Sequence, residues 1–343
     1  IIMGLATYGN PNDILLDSGH TYYEIFQKII IETNDLEYEI NKDWISYHEV
    51  RDKWVSDKFL ETFGAKREPG DEIIQHHMDI AAALQLRVEN IVLSQLRHAR
   101  EVYGVSNLCL SGGVALNCSM NGRIEQERIF DQIFVQPASG DAGAAIGSCY
   151  MTTAKHLPEF RPKKELNFYL GTDFTDREVY EAFLSRGSEP DQLDNLFEVV
   201  ASRLAEGKII GWFQGGAEFG PRALGNRSIL TAPFPKEMKD ILNSRVKFRE
   251  EFRPFAPAIL SEMANEFFEI TQPSPHMLIA VTVKSDKISE IPAVVHVDNS
   301  ARVQTVDKLN NPKFRKLLDI SKEKKIDTIE NAIKKGAEKK SVE

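Results

Sequence analysis

The chain has 343 residues, of which 42% are hydrophobic and 27% are charged, and this length predicts two domains rather than one core. Its net charge of −9 argues against a broad nucleic-acid surface, which needs a basic face. No apolar run approaches the roughly 20 residues that span a bilayer and no signal peptide is visible, so we expect a cytoplasmic protein without a membrane partner.

The first part of the chain is predicted to form an α/β domain. Apolar residues at steps of three to five predict a long helix over 71–103. The next short apolar segments predict two strands, each followed by a helix, and the four elements lie at 107–111, 114–128, 132–135 and 142–156. This alternation of strands and helices is typical of an α/β domain.

Proline and charged residues at 158–165 predict a linker to a second α/β domain. Thr175 and Glu178 form a capping-box pattern, which predicts the start of a helix. Apolar segments further on predict a helix over 236–246 and strands at 209–214, 229–232, 277–284 and 293–297.

The last residues of the chain have a different composition. Residues 321–343 are rich in lysine and acidic residues, which predicts a solvated helix or a frayed tail. We therefore expect one domain over 1–160, a second over 161–320 and a charged tail over 321–343.

Two glycine-containing loops follow the first two predicted strands. Gly112 and Gly113 would let the backbone approach a ligand closely, and the helix after them would offer free N–H groups to phosphate, although an ordinary strand-to-helix turn also explains them. The loop at 138–144 repeats this arrangement. Its Asp141 is placed either to face a metal–phosphate complex or to cap a helix. Two such loops on successive units favour a nucleotide cleft.

Two arginines five residues apart lie among glycines at 215–228. Arg222 and Arg227 offer planar guanidinium groups that bind phosphate or carboxylate through two hydrogen bonds. Ordinary solvated charge fits Lys236 and Lys239 better than these two arginines. Residues 296–305 are either a plain edge strand or a strand that points Asp298, Ser300 and Arg302 into a site.

These motifs together resemble the NodU/CmcH family of O-carbamoyltransferases. The resemblance covers residues 1 to about 318, and the element at 220–228 is very specific to the family. It rests on Met3 to Gly9, Ser111 to Asn117, Pro137 to Gly143, Glu218 to Ser228 and Phe252 to Pro257.

The resemblance implies an α/β fold in which the C-terminal half of an ASKHA-type (actin- and Hsp70-like) ATPase domain precedes a YrdC-like domain. It also implies two reactions. Carbamoyl phosphate and ATP form carbamoyl adenylate and pyrophosphate in the YrdC-like domain, and the carbamoyl group then passes to an acceptor hydroxyl in the ASKHA-type domain. The cofactors implied are ATP and a divalent metal, either of the iron type or magnesium with ATP.

The family's functional residues map onto matching positions of this sequence. The nucleotide loop corresponds to Gly112, Gly113 and Asn117, with Gly143 in the second loop, and the metal ligand corresponds to Asp141. The pocket for carbamoyl phosphate and ATP corresponds to Arg222, Arg227, Lys247, Arg249, Arg253, Ser300 and Arg302.

Two family elements are missing. No pair of histidines has the HxxxH spacing of the family's metal site, and the family's Asn-Thr-Ser-Phe-Asn element is replaced by the charged tail. Both ends therefore look truncated, and we expect this chain to perform at most the adenylate-forming reaction. The adjacent pair His76 and His77 is expected to be helix surface or packing.

Other functions compete with this interpretation. A sugar kinase of the ASKHA type would explain the glycine loops but not the arginines, and a non-catalytic nucleotide-binding fragment would explain the missing histidines. The expected substrates are carbamoyl phosphate and a hydroxyl-bearing small molecule or sugar, of the nodulation-factor or antibiotic type. A homodimer is one assembly that such an enzyme could form.

Overall fold

The computed structural model describes residues 2–16, 18–34, 36–161 and 167–323. Within them the chain is mixed α/β with small sheets, and it divides into two compact units. Unit 1 contains Ile1–Leu108, Ser119–Phe134 and Arg249–Pro254, and unit 2 contains Cys109–Cys118, Val135–Phe248 and Phe255–Glu343. The units therefore do not follow a single boundary near residue 160, because residues 109–118 and 135–160 cluster with the second half of the chain.

Unit 1 is organised around one long helix. Its elements in chain order are α1 (Ile2–Ala6), α2 (Tyr22–Ile29), β1 (Ile30–Asn34), β2 (Glu37–Ile40), α3 (Asp57–Phe63) and α4 (Gln75–Tyr103). Helix α4 confirms the helix predicted over 71–103 but begins four residues later, where His77 Nδ1 accepts the backbone N–H of Ile74 at 3.1 Å. It ends at Gly104, whose φ of 62° is left-handed, as is common after a helix.

The core of unit 1 forms where α2 and α3 pack on α4. Its buried side chains are Leu15, Tyr22, Ile25, Phe26, Ile29, Trp44, Phe63 and Ala83. A second cluster joins Leu5 and Ala6 of α1 to Ala81 and Ala82 of α4. The aromatic-rich segments of the first 63 residues thus supply a core rather than a ligand site.

The strand–helix run after α4 agrees closely with the sequence prediction. It comprises β3 (Asn107–Leu110), α5 (Cys118–Gln126), β4 (Gln132–Val135) and α6 (Gly143–His156), and β3 pairs with β4. The helix predicted over 114–128 is divided. A 3₁₀ turn over Gly113–Leu116 precedes α5, because the chain bends at Asn117, which has an extended backbone.

Unit 2 is built from short paired strands. Its further elements are α7 (Asp176–Leu184), α8 (Leu196–Ala205), β5 (Ile210–Phe213), β6 (Arg227–Leu230), α9 (Met238–Leu242), β7 (Ala258–Leu260), α10 (Ala264–Phe267), β8 (Ala280–Thr282), β9 (Ser300–Arg302), β10 (Gln304–Val306) and a helix α11 over 312–323. Strand β5 pairs with β6 and β8 with β9, both antiparallel, while β7 and β10 are parallel.

Several predicted elements of unit 2 are confirmed and others need correction. Helix α7 begins with the predicted capping box of Thr175 and Glu178. The strand predicted over 293–297 is wrong, because Pro292 opens a 3₁₀ turn over Pro292–Val294 instead. The helix predicted over 236–246 is split into α9 and a π-helical turn over Asn243–Lys247.

The core of unit 2 lies around strands β8 and β9. Its buried residues include Phe268, Ile279, Val281, Val283, Ala301 and Val303. A neighbouring cluster joins α8, Trp212 of β5, Val306 of β10 and α11. Strands β9 and β10 are therefore held between two apolar clusters, which fixes the backbone on either side of Arg302.

Two stretches named in the sequence analysis lie largely outside the described residues. They are the centre of the linker, at 162–166, and the tail beyond residue 323. Among the helices that the structure describes, none has both the length and the apolar character needed to cross a bilayer.

The turn between α1 and α2 makes a close backbone approach to α4. A Cβ atom at Gly9 would lie 2.1 Å from the carbonyl oxygen of Met78, and Asp79 accepts the N–H of Asn10 at 2.8 Å. We predict that Gly9→Ala lowers the free energy of unfolding by about 1–3 kcal/mol through overpacking. Urea denaturation followed by tryptophan fluorescence measures this change. The control is Gly147→Ala in α6, where an added Cβ would meet no atom within 4 Å other than those of its chain neighbours and its own helix backbone. Equal stability of both variants would contradict the prediction.

Candidate anion-binding site

The first glycine loop has the geometry that its sequence predicts. Gly112 has a φ of 98°, which a residue with a side chain rarely adopts, and its N–H donates to the carbonyl of Ser139 at 2.8 Å. Gly113 opens the 3₁₀ turn and Asn117 follows its last residue. The hydrogen bond to Ser139 brings the two predicted glycine loops side by side within unit 2.

The second loop also requires a glycine. A Cβ atom at Gly143 would lie 2.2 Å from the carbonyl oxygen of Ala138, where the chain enters α6. Asp141 is exposed in the turn before this helix, and the residue in the N-cap position is Ala142. The structure therefore does not give Asp141 the helix-capping role that the sequence left open.

The residues present do not fit the expected metal site. Within the described residues there is no group of three or more histidine, cysteine, aspartate or glutamate side chains that could hold a metal ion. His76 is engaged in packing, as expected, since its Nδ1 lies 2.7 Å from the hydroxyl of Tyr22 and its Nε2 lies 2.6 Å from the carbonyl of Phe63. We therefore derive no chemistry through a metal at Asp141.

Glu218 organises the loop that carries both central arginines. Its Oε1 accepts the backbone N–H groups of Leu224 at 2.7 Å, Asn226 at 2.9 Å and Arg227 at 3.1 Å. One carboxylate oxygen thus satisfies three donors at 224–227, where an irregular loop leads into β6. The sequence motifs alone did not reveal this role of Glu218. The available signal for it was an acidic residue among glycines and arginines.

Two glycines let this loop pack against other parts of unit 2. Gly220 has a φ of 131°, and a Cβ atom there would lie 2.8 Å from the carbonyl oxygen of Pro137. Gly225 has a φ of 98°, and a Cβ atom there would overlap the ring of Phe314 in α11. The loop at 218–227, which carries Arg222 and Arg227 and is called the arginine loop, therefore packs against the second glycine loop at Gly220 and against α11 at Gly225.

Arg222 reaches from this loop to the first glycine loop. One terminal nitrogen of its guanidinium donates to the carbonyl of Leu116 at 3.3 Å, while its Nε is buried without a hydrogen-bond partner. A buried donor without a partner is costly, which makes this nitrogen a candidate contact for a ligand.

Arg302, at the end of β9, faces the same region. Its Nε is also buried and unpartnered, and within the described residues neither guanidinium forms an ion pair with a carboxylate. Burial, followed by the charge of Arg302, lowers the pKa of Arg222 to about 10, against a smaller opposing effect of Cys118. Arg222 therefore remains charged at neutral pH, and the two neighbouring cations are a candidate anion-binding site.

Ser300 is fixed beside this pair by a tight turn. Its backbone N–H donates to Asp298 Oδ1 at 3.0 Å, and Asn299 between them has a left-handed φ of 62°. Burial favours the neutral acid, but hydrogen bonds from His296 and Ser300 outweigh it and lower the pKa of Asp298 to about 2. Asp298 is thus ionised and holds the start of β9 in place.

Arg227 differs from Arg222 because its donors are used within the protein. Its guanidinium donates to the carbonyls of Gln214 at 2.7 Å, Asn226 at 3.0 Å and Thr172 at 3.0 Å, and it lies 3.6 Å from the centre of the Phe213 ring. These contacts join β5, β6 and the segment before α7. They support a structural role for Arg227.

The other predicted cations lie in the segment 247–253. Lys247 is exposed at the end of the π-helical turn. Arg249 donates to the carbonyl of Pro254 at 3.4 Å, and Arg253 pairs with Glu250 at 3.5 Å. Both arginines belong to the segment Arg249–Pro254, which clusters with unit 1.

We predict that Glu218→Ala lowers the free energy of unfolding by about 1–3 kcal/mol, because three backbone donors lose their acceptor. Glu218→Gln is the control, since it retains an acceptor oxygen and should lose less than half as much. Urea denaturation and limited proteolysis within 216–228 measure both effects. An alanine variant with wild-type stability and protease resistance would show that Glu218 does not hold the loop.

Comparison with known protein families covers most of the chain. Residues 1–150 match the carbamoyltransferase N-terminus family, and residues 201–331 match the carbamoyltransferase C-terminus family. The match to the second family includes Arg222, Arg302 and the whole loop organised by Glu218.

Individual relatives agree with this assignment. The nodulation protein NolO of Bradyrhizobium diazoefficiens is 38% identical over 94% of this chain and 57% of its own length. Nodulation protein U of the same organism is 39% identical over 68% of this chain and 39% of its own length. An uncharacterised protein of Synechocystis sp. is 39% identical over 92% of this chain and 55% of its own length. The chain thus spans about half the length of the relatives it matches, and it belongs to the carbamoyltransferase family.

Proposed function

We propose that this chain acts in O-carbamoyl transfer, in which carbamoyl phosphate and ATP form carbamoyl adenylate and the carbamoyl group then passes to a hydroxyl. The observation that carries the proposal is the pair of buried, unpartnered guanidinium Nε groups of Arg222 and Arg302. Membership of the carbamoyltransferase family supports the carbamoyl donor.

The arginine pair suits the first reaction because both of its reactants are anions. Water cleaves carbamoyl phosphate to carbamate and inorganic phosphate, and a carbamate oxygen then attacks the α-phosphorus of ATP and displaces pyrophosphate, which gives carbamoyl adenylate. Bringing two polyanions together requires that their charge be neutralised and that their reacting atoms be aligned. Arg302, carried by β9, and Arg222, carried by the arginine loop, would supply both the charge neutralisation and the alignment.

The glycine loops are the proposed place for nucleotide phosphates. Gly112, Gly113 and Asn117 lie next to Arg222 through the carbonyl of Leu116, and Gly143 lies at the start of α6. Backbone N–H groups at such positions bind phosphate. An ASKHA-type first domain and a YrdC-like second domain remain part of the proposal, as do the roles of Lys247, Arg249, Arg253 and Ser300.

The acceptor class is proposed from the relatives. Two of them are named nodulation proteins, which supports a hydroxyl on a small molecule or sugar of the nodulation-factor type. Family membership disfavours the sugar kinase, because a kinase would not need the arginine pair that the C-terminal family covers. We route no step of the transfer through a metal, since the described residues do not gather its ligands.

We predict that Arg222→Ala weakens binding of carbamoyl phosphate roughly ten- to hundredfold, because one charge-assisted contact contributes about 1.5–3 kcal/mol. Isothermal titration calorimetry at constant ionic strength measures the dissociation constant. Arg177→Ala is the matched control, since Arg177 is exposed on α7 and pairs with Glu181. Unchanged affinity in Arg222→Ala, or an equal loss in both variants, would overturn the assignment.

A further inference from the structure

A small cavity lies within unit 2, and Leu224 of the loop that carries Arg222 forms part of its wall. Its volume is about 20 Å³, which is enough for one water-sized group. Its wall is polar on one side and apolar on the other, and it includes Tyr169, Leu224, His276, Gln304, Phe168 and Val306. The reaction scheme above does not use it.

The polar side of the cavity contains a hydrogen-bond acceptor that has no partner. Gln304 is 2% exposed, and its Nε2 donates to the carbonyl of Leu224 at 2.9 Å. Since a carbonyl can only accept, this bond fixes which end of the amide is nitrogen. The remaining atom, Oε1, is buried and unpartnered. A group that pairs with Oε1 must therefore donate a hydrogen bond.

Other groups in the wall limit what that ligand can be. The hydroxyl of Tyr169 is already directed to the carbonyl of Leu224, to which it donates at 3.0 Å. His276 lies edge-on to Phe168, and its burial lowers its pKa to about 4, so its imidazole is neutral at pH 7. A neutral imidazole offers one acceptor and one N–H donor and carries no charge. The cavity thus suits a small, neutral hydrogen-bond donor.

The cavity and the arginine pair share the same two chain segments. Leu224 follows Arg222 by two residues, and Gln304 follows Arg302 by two residues. Two residues of chain span at most about 7 Å. The backbone that carries the arginine pair is therefore close to the backbone of the cavity wall, within unit 2.

We propose that the cavity receives the amino end of the carbamoyl group, whose N–H donates to Gln304 Oε1 while the phosphate lies on Arg222 and Arg302. This inference rests on the proposed function and names the determinant of its donor specificity. An amino group and a methyl group have nearly the same size, so the cavity cannot separate them by volume. Hydrogen bonding separates them, because a methyl group would leave Oε1 unpaired.

The test compares carbamoyl phosphate with acetyl phosphate, which carries a methyl group in place of the amino group. Calorimetry with the wild-type chain should show that carbamoyl phosphate binds at least roughly tenfold more tightly. Gln304→Met should remove this preference while leaving the affinity for inorganic phosphate unchanged. The matched control is Gln214→Met, because Gln214 is also buried with an unpartnered Oε1 but does not line the cavity.

The possible failures can be distinguished. If phosphate compounds bind through Arg222 but the wild-type chain does not prefer carbamoyl phosphate, the cavity holds only a water and this inference is wrong while the proposed function stands. The same conclusion follows if Gln304→Met and Gln214→Met alter the preference equally. If no phosphate compound binds in a manner that depends on Arg222, both proposals fail. Because the wild-type comparison needs no variant, a wild-type chain without the preference overturns the inference even if Gln304→Met does not fold.

Discussion

The carboxylate of Glu218, with three backbone N–H groups bound to one oxygen, is the interaction on which the rest of the site depends. Glu218 belongs to the loop that it stabilises, and this loop has no regular backbone hydrogen bonds until β6 begins at Arg227. The carbonyl of Leu224 is thereby fixed for Tyr169 and Gln304, and Arg222 is carried to Leu116. A single acid therefore holds the loop that carries Arg222 and the part of the cavity wall formed by Leu224, while β9 carries Arg302.

Keeping the charged guanidinium groups of Arg222 and Arg302 buried and close together costs free energy when no anion is bound. Burial and the proximity of Arg302 both act against the charge of Arg222, as its lowered pKa shows. A protein retains such an arrangement only if the surroundings hold it in place and an anion offsets its cost. The apolar clusters on either side of β9 and β10 supply the first condition, and a phosphate compound would supply the second.

Local sequence signals predicted the elements that depend on local chemistry. The capping box at Thr175, the glycine at 112 and strand β4 all follow from short-range rules, and all were found. Roles that depend on distant partners were not predictable. Arg227 resembles Arg222 in sequence, yet its donors meet carbonyls that include Thr172, 55 residues away. Gln304 carries no motif, and only the fold shows that its Oε1 lacks a partner.

Arg222 and Arg302 are proposed to bind the phosphate of carbamoyl phosphate together. Nuclear magnetic resonance of the arginine Nε–Hε groups tests this proposal most directly, because both Nε atoms are buried and unpartnered. With assignments from single Arg→Lys variants, titration with carbamoyl phosphate should shift these two signals together, with one saturation curve. Unshifted Arg222 and Arg302 signals at concentrations that saturate binding, or shifts confined to exposed arginines such as Arg177, would contradict the account.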